Sequence, residues 1–204
     1  MDSRKYFTIG AAIIAMLWGS YLTWRILTPP PQVQTATVLP VAAELAEFSL
    51  LDQHGNTFTR GNFAGHWNLV FFGFTHCPDI CPLTLQVLAS ARQSLADSAA
   101  AALPRIVLVS VDPERDTPEL IGQYVSHFGT GIVGVTGELA EVRKLTEGLG
   151  IYFEKSNVGD DNYSVDHSAV VVVIDPDGRF RALFSAPHLA EHFVHDLPII
   201  MSGR

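Results

Sequence analysis

An α/β domain built on a mixed central sheet flanked by helices, carried behind an N-terminal transmembrane helix, is the fold class the sequence predicts. Three observations predict it. Short apolar, β-branched runs alternate with amphipathic stretches from about Leu45 onward, the rhythm of strands and helices. The runs Trp67 to Phe74 and Arg105 to Val111 bracket a helical pattern, which implies a parallel strand pair joined by a right-handed crossover. Finally, the stretch from Tyr6 to Trp24 contains no charged residue. At about 1.5 Å per residue it nearly covers a hydrocarbon core of about 30 Å.

The elements follow in chain order. Residues 1–27 read as a membrane anchor, with Tyr6, Trp18, Tyr21 and Trp24 supplying interfacial rings. A cleaved signal peptide would need a shorter apolar region and a small-x-small site, and neither is present. Arg4 and Lys5 outweigh the lone Arg25, which places the N-terminus in the cytoplasm. The rest of the chain then faces the periplasm or an equivalent compartment, as a single-pass protein of the inner membrane. Residues 28–44 carry Pro29, Pro30, Pro31 and Pro40 with almost no charge and read as an extended tether.

The folded domain is expected over 45–204. Phe48 to Gln53 and Asn56 to Thr59 flank His54-Gly55 as a hairpin. Trp67 to Phe74 and Arg105 to Val111 are buried strands, and Pro82 to Ala99 between them is a helix, with Leu85, Leu88 and Leu95 on its apolar side. Thr117, Pro118 and Glu119 mark the start of a second helix, running to about Phe128. A third spans Glu138 to Leu149. Ser168 to Asp175 and Arg179 to Phe184 form a strand pair across the Pro176-Asp177-Gly178 turn, and a last helix begins near Pro187.

Composition limits the function. Of the 204 residues, 48% are hydrophobic and 17% charged, the profile of a folded chain. The formal charge of −8 argues against a nucleic-acid partner, because such binding draws its affinity from Lys and Arg neutralising phosphates.

Chemistry concentrates at the only two cysteines, Cys77 and Cys81, in Cys77-Pro78-Asp79-Ile80-Cys81-Pro82. The motif sits where a strand hands over to a helix. Backbone N–H groups at a helix start favour thiolates, and the tight turn lets both sulfurs converge. An inert bridge is a poor explanation, since so short a loop gains little chain entropy from closure. Metal chelation and thiol–disulfide exchange both remain open. Strand-to-helix cysteines are a feature of thioredoxin-like oxidoreductases, which place two residues between them where this chain has three.

The segments FFGFTHCPDICP (Phe71 to Pro82), VDPERDTPELIGQYVSHF (Val111 to Phe128) and VDHSAVVVVIDPDGRF (Val165 to Phe180) together resemble the Sco/SenC family of copper chaperones for cytochrome c oxidase assembly. The resemblance covers the domain from about Phe48 to the C-terminus and the N-terminal anchor. It implies a thioredoxin-like fold in which Cys77, Cys81 and His167 bind Cu(I) or Cu(II). It also implies that the partner is cytochrome c oxidase subunit II, whose CuA centre is built by copper transfer or by thiol reduction, or another copper chaperone. Two thiolates and an imidazole suit copper, with zinc the chemical rival. A proline opposite the cysteines, expected of a reductase, is replaced by Asp166-His167-Ser168-Ala169.

Other residues carry weaker expectations. Asp166 is a candidate acceptor for the second ring nitrogen of His167, with a solvated loop acid as the alternative. His76 is expected to turn away from Cys77. His188, His192 and His195 share one helix face, either a polar face or an auxiliary metal-gathering one. Asp160, Asp161 and Asp166 make an acidic loop before His167 that can attract a cation or a basic partner. Arg115 and Asp116 are expected to fix a turn and helix start near the site. The competing functions are a periplasmic thiol–disulfide oxidoreductase using Cys77 and Cys81, and a peroxide-reducing enzyme on the same fold.

Overall fold

The computed structural model of the protein describes residues 3–27, 31–98, 102–159 and 162–203. The chain divides into two compact units, Met1–Gln32 and Val33–Arg204.

The first unit is a single helix, α1 (Ser3–Leu27). Its apolar side chains Phe7, Ile14, Leu17, Trp18 and Trp24 are exposed. Among the described residues no helix is long and apolar enough to cross a membrane.

The second unit is the α/β domain. An eight-stranded mixed sheet runs in the order β1-β10-β9-β4-β5-β6-β2-β3. Its centre is β4 (Asn68–Gly73), β5 (Arg105–Ser110) and β6 (Ile132–Thr136), paired in parallel. Every residue of β4 is buried, which is why that run reads as continuously apolar rather than alternating. The helix α2 (Ile80–Asp97) makes the crossover from β4 to β5 and buries Cys81, Thr84, Leu85, Leu88, Ala91 and Leu95 along one stripe. The helix α3 (Pro118–Ser126) starts as expected: Leu120 N–H donates to the Thr117 hydroxyl at 3.3 Å, with Pro118 in the first turn. The helix α4 is Leu139–Gly148 and α5 is Ala190–Met201. The strands β2 (Ser49–Asp52) and β3 (Thr57–Thr59) form the expected hairpin, and β9 (Val170–Ile174) turns into β10 (Arg179–Ser185).

Three features depart from the expectations. The tether over 28–44 is corrected in its second half, because Thr37–Glu44 is β1 and pairs antiparallel with β10 at the sheet edge. Pro40 misleads there: it falls in the register break between Val38 and Ala43, where an edge strand tolerates a missing N–H. The compact unit accordingly begins near Val33 rather than Leu45. A second unanticipated strand is β6, whose Gly134 is required because a Cβ there would lie 2.9 Å from Ile121 of α3. The third is a separate two-stranded sheet, β7 (Phe153–Gly159) with β8 (Asn162–His167), ahead of β9.

Candidate metal centre

Cys77 lies in the loop after β4 and Cys81 in the first turn of α2. The loop is closed by Cys77 N–H donating to the Phe74 carbonyl at 3.2 Å and Leu83 N–H to the Asp79 carbonyl at 3.3 Å. Cys81 is fully buried, while Cys77 reaches the surface with 9% exposure and is the sulfur a partner meets first. Both are free thiols. Gly73 makes room for this packing, since a Cβ there would stand 2.8 Å from Cys81 Sγ.

The two thiols divide the acidity between them. A hydrogen bond from Cys81 lowers Cys77 to about 5, against burial, helped by the backbone N–H groups of Asp79 and Cys81 and by nearby His167. The same hydrogen bond, together with burial, pushes Cys81 strongly upward. Near neutral pH the pair is therefore one thiolate just below the surface supported by one fully buried thiol.

His167 ends β8, and its ring is half-buried between aromatic edges, with centroids 6.3 Å from Phe71 and 5.8 Å from Phe74. Its Nδ1 lies 2.9 Å from the Val165 carbonyl. A carbonyl can only accept, so Nδ1 carries the proton and Nε2 presents a lone pair. That lone pair faces Cys81 Sγ at 3.7 Å.

The expected role of Asp166 is corrected by this arrangement. The Val165 carbonyl orients the ring, and Asp166 is exposed. Strand alternation explains it: Tyr163, Val165 and His167 share one face of β8, and Asp166 projects from the other. His76 turns from the sulfurs as expected, with Nδ1 3.0 Å from the Thr75 hydroxyl and 3.9 Å from Asp116.

The structure thus joins Cys81 to each of the other two donors. It does not close all three on one point: among the described residues no group of three His, Cys, Asp or Glu gathers tightly enough to hold an ion. The donor set, two sulfurs able to act as soft thiolates and one imidazole, with Cys77 the nearer of the cysteines to the surface, fits copper.

Arg115 and Asp116 hold the scaffold around these donors as expected, while Asp112 and Tyr163 were missed by sequence reasoning. Buried Asp116 accepts from Thr75 N–H at 3.0 Å, the Thr75 hydroxyl at 2.5 Å and the Ser110 hydroxyl at 2.6 Å, holding the start of the cysteine loop. Buried Asp112 accepts from the Tyr163 hydroxyl at 2.7 Å and from Arg115 Nε. Arg115 also donates to the Tyr163 carbonyl at 3.2 Å and lies 3.8 Å from the centre of that ring. Desolvation and the bond to Asp112 push the Tyr163 phenol up to about 12. The available signal was the period-two spacing of Tyr163 and His167.

The remaining candidates lie apart. His195 Nδ1 donates to Asp196 at 2.7 Å and its Nε2 meets Gln34 at 3.2 Å, while the His188 ring packs on Phe193. His192 and His195 line a cleft with Gln34, Thr35, Glu191 and Asp196, and the described residues form no three-donor group there. Asp160 and Asp161 lie outside the described residues.

Comparison with known proteins fits this geometry. The SCO1/SenC family profile matches residues 38–202. The chain belongs to the SCO1/SenC family. The chain is 32% identical over 193 residues to "Protein SCO2 homolog, mitochondrial" of Mus musculus, covering 91% of this chain and 76% of that one. The crystal structure of Arabidopsis thaliana ScoI with copper bound superposes at a TM-score of 0.75 and 32% identity, covering 79% of this chain and all of that one. Yeast Sco1 with copper bound gives 0.72 and 29%, covering 79% and 90%.

Proposed function

We propose that this chain binds one copper ion through Cys77, Cys81 and His167 and delivers it to, or prepares the thiols of, the CuA centre of cytochrome c oxidase during assembly. The observation that carries the proposal is the Nε2 lone pair of His167, aimed at Cys81 Sγ from 3.7 Å while a backbone carbonyl holds the other nitrogen. An imidazole fixed in that tautomer offers its lone pair to a soft cation held by the two sulfurs. The copper-bound Sco structures among its relatives support the same reading.

Uptake follows from the thiols. The Cys77 thiolate captures the ion at the surface, Cys81 gives up its proton to become the second ligand, and His167 approaches as the third. Three donors leave one side open, so a recipient's ligands can attack before the first bonds break. The recipient is oxidase subunit II or another copper chaperone.

The exposed apolar surface of α1 and its uncharged run from Tyr6 to Trp24 support a membrane anchor. Lipid is the environment in which such a surface costs nothing, and the domain then faces the periplasm or an equivalent compartment.

The test is titration of the full chain and its His167→Ala variant with Cu(I) and Cu(II). One ion per wild-type chain, with binding at least about tenfold weaker in the variant, supports the proposal. Equal affinity in both rejects it. The unequal acidity of the thiols favours one second reading, a thiol–disulfide oxidoreductase with Cys77 as the attacking sulfur. In that case His167→Ala leaves exchange activity intact.

A further inference from the structure

Both halves of the site hang from a single turn, residues 112–116 between β5 and α3. Asp116 holds the cysteine loop through Thr75, two residues before Cys77. Asp112 and Arg115 hold the other half through Tyr163, four residues before His167. We propose that Asp112, Arg115 and Tyr163 are positioning residues that set the His167 imidazole over the cysteines. This rests on the copper reading above.

Among the described residues the strands β7 and β8 pair only with each other and share no ladder with the main sheet. Left to themselves, two strands are marginally stable in water, so a ligand on β8 needs an outside hold. At its base the ladder continues by Ser168 N–H to the Tyr152 carbonyl at 2.9 Å, and Phe153 and Val165 are buried in the domain's core. Further out, past Val165, the polar hold is the Tyr163 side chain, its hydroxyl on a buried carboxylate and its ring under a guanidinium. Lys155 to Glu114 at 2.5 Å adds a surface pair from β7 to the same turn, and such exposed pairs contribute little. Tyr163 and His167 lie on the same face of one strand. Tilting the first therefore moves the second, and the aim of Nε2 at Cys81 changes with it.

A residue acting only on general stability would weaken the protein wherever it was measured. A positioning residue acts through His167 and has no further effect once that imidazole is gone. The experiment is a double-mutant cycle on the full chain, Tyr163→Phe against His167→Ala, reading Cu(II) affinity and the thiolate-to-copper absorption band. Arg115→Lys, which keeps the charge and loses the planar fork, is the second variant. Amide hydrogen exchange is measured on the copper-free proteins.

Tyr163→Phe is expected to weaken copper by about tenfold, to shift the band towards that of His167→Ala, and to change nothing further in the His167→Ala background. In the copper-free state it speeds exchange at Ser164 and Asp166, whose N–H groups face β7, and leaves α2 unchanged. Unchanged affinity and exchange, or an equal loss in both backgrounds, overturns the positioning role. If His167→Ala binds as tightly as wild type, the copper reading itself has failed. The exchange data then still decide whether Tyr163 holds the hairpin, and unchanged exchange rejects it.

Discussion

Replacing Gly73 with alanine adds one carbon at the most crowded point of the site. That carbon would lie 2.8 Å from Cys81 Sγ, 3.0 Å from Phe71 Cε1 and 3.3 Å from Leu108 Cδ1, where ordinary contact begins at 3.4 Å. The sulfur is about 0.6 Å too close, and neither neighbour can yield easily, because Phe71 and Leu108 are fully buried. Relief comes from moving Cys81 and the first turn of α2. Overpacking of this kind costs about 1–3 kcal/mol. With a urea dependence of about 1–3 kcal/mol per molar, the unfolding midpoint drops by about 1 M. The displacement exceeds the tolerance of about 0.2 Å for a metal–ligand distance, so copper affinity falls by about tenfold or more. Urea unfolding of the copper-free chain and Cu(I) competition titration measure the two effects separately. A Gly73→Ala variant with wild-type stability and wild-type affinity would refute the packing argument.

The thiols make a pH prediction: alkylation at Cys77 should rise as pH increases through about 5, well below the ordinary thiol value of about 8.5, while Cys81 stays unreactive. Mass spectrometry of briefly alkylated protein reads both, and a Cys77 profile centred above about pH 8 contradicts the shared-proton arrangement. Copper uptake at about pH 7 should release about one proton per ion, from Cys81, because Cys77 is already ionised. Measured in weak buffer, a release of about two would show that both sulfurs were protonated. Asp196 should matter for folding rather than for copper. Burial raises its pKa, but His195, the N–H groups of Gln34 and Ala36 and the Thr35 hydroxyl outweigh it, so the net shift is downward. The stability it gives is present above the ordinary carboxylate range and is lost as pH falls below it. Asp196→Asn should cost about 1–3 kcal/mol in urea unfolding, with copper binding unchanged.

Much of the fold was legible because it obeys local rules. The run Asn68–Gly73 is apolar throughout because both of its faces are covered, and Thr117-Pro118-Glu119 announces a helix by capping chemistry alone. The cysteines were placed correctly because the junction of a strand and a helix is itself a local signal. What failed to show is non-local. The edge strand β1 contains a proline that reads as a tether until β10 is there to pair with it. The strand β6 contains Gly134, whose reason is the closeness of Ile121 on α3. The hairpin β7–β8 has no long apolar run, since only Phe153 and Val165 enter the core and the rest of its hold is the polar contact of Tyr163 with Asp112 and Arg115. Asp166 was assigned to the imidazole from adjacency in sequence. Had β8 been recognised as a strand, its alternation would have turned Asp166 to the opposite face and left the Val165 carbonyl as the partner.

Whether the sulfurs of Cys77 and Cys81 and the Nε2 of His167 meet on a single ion is read most directly by copper-edge X-ray absorption on the loaded full chain. Two sulfur scatterers and one imidazole nitrogen per copper are expected, the nitrogen disappearing in His167→Ala. A spectrum with sulfur alone in the wild type, unaltered by the substitution, would contradict the three-donor site.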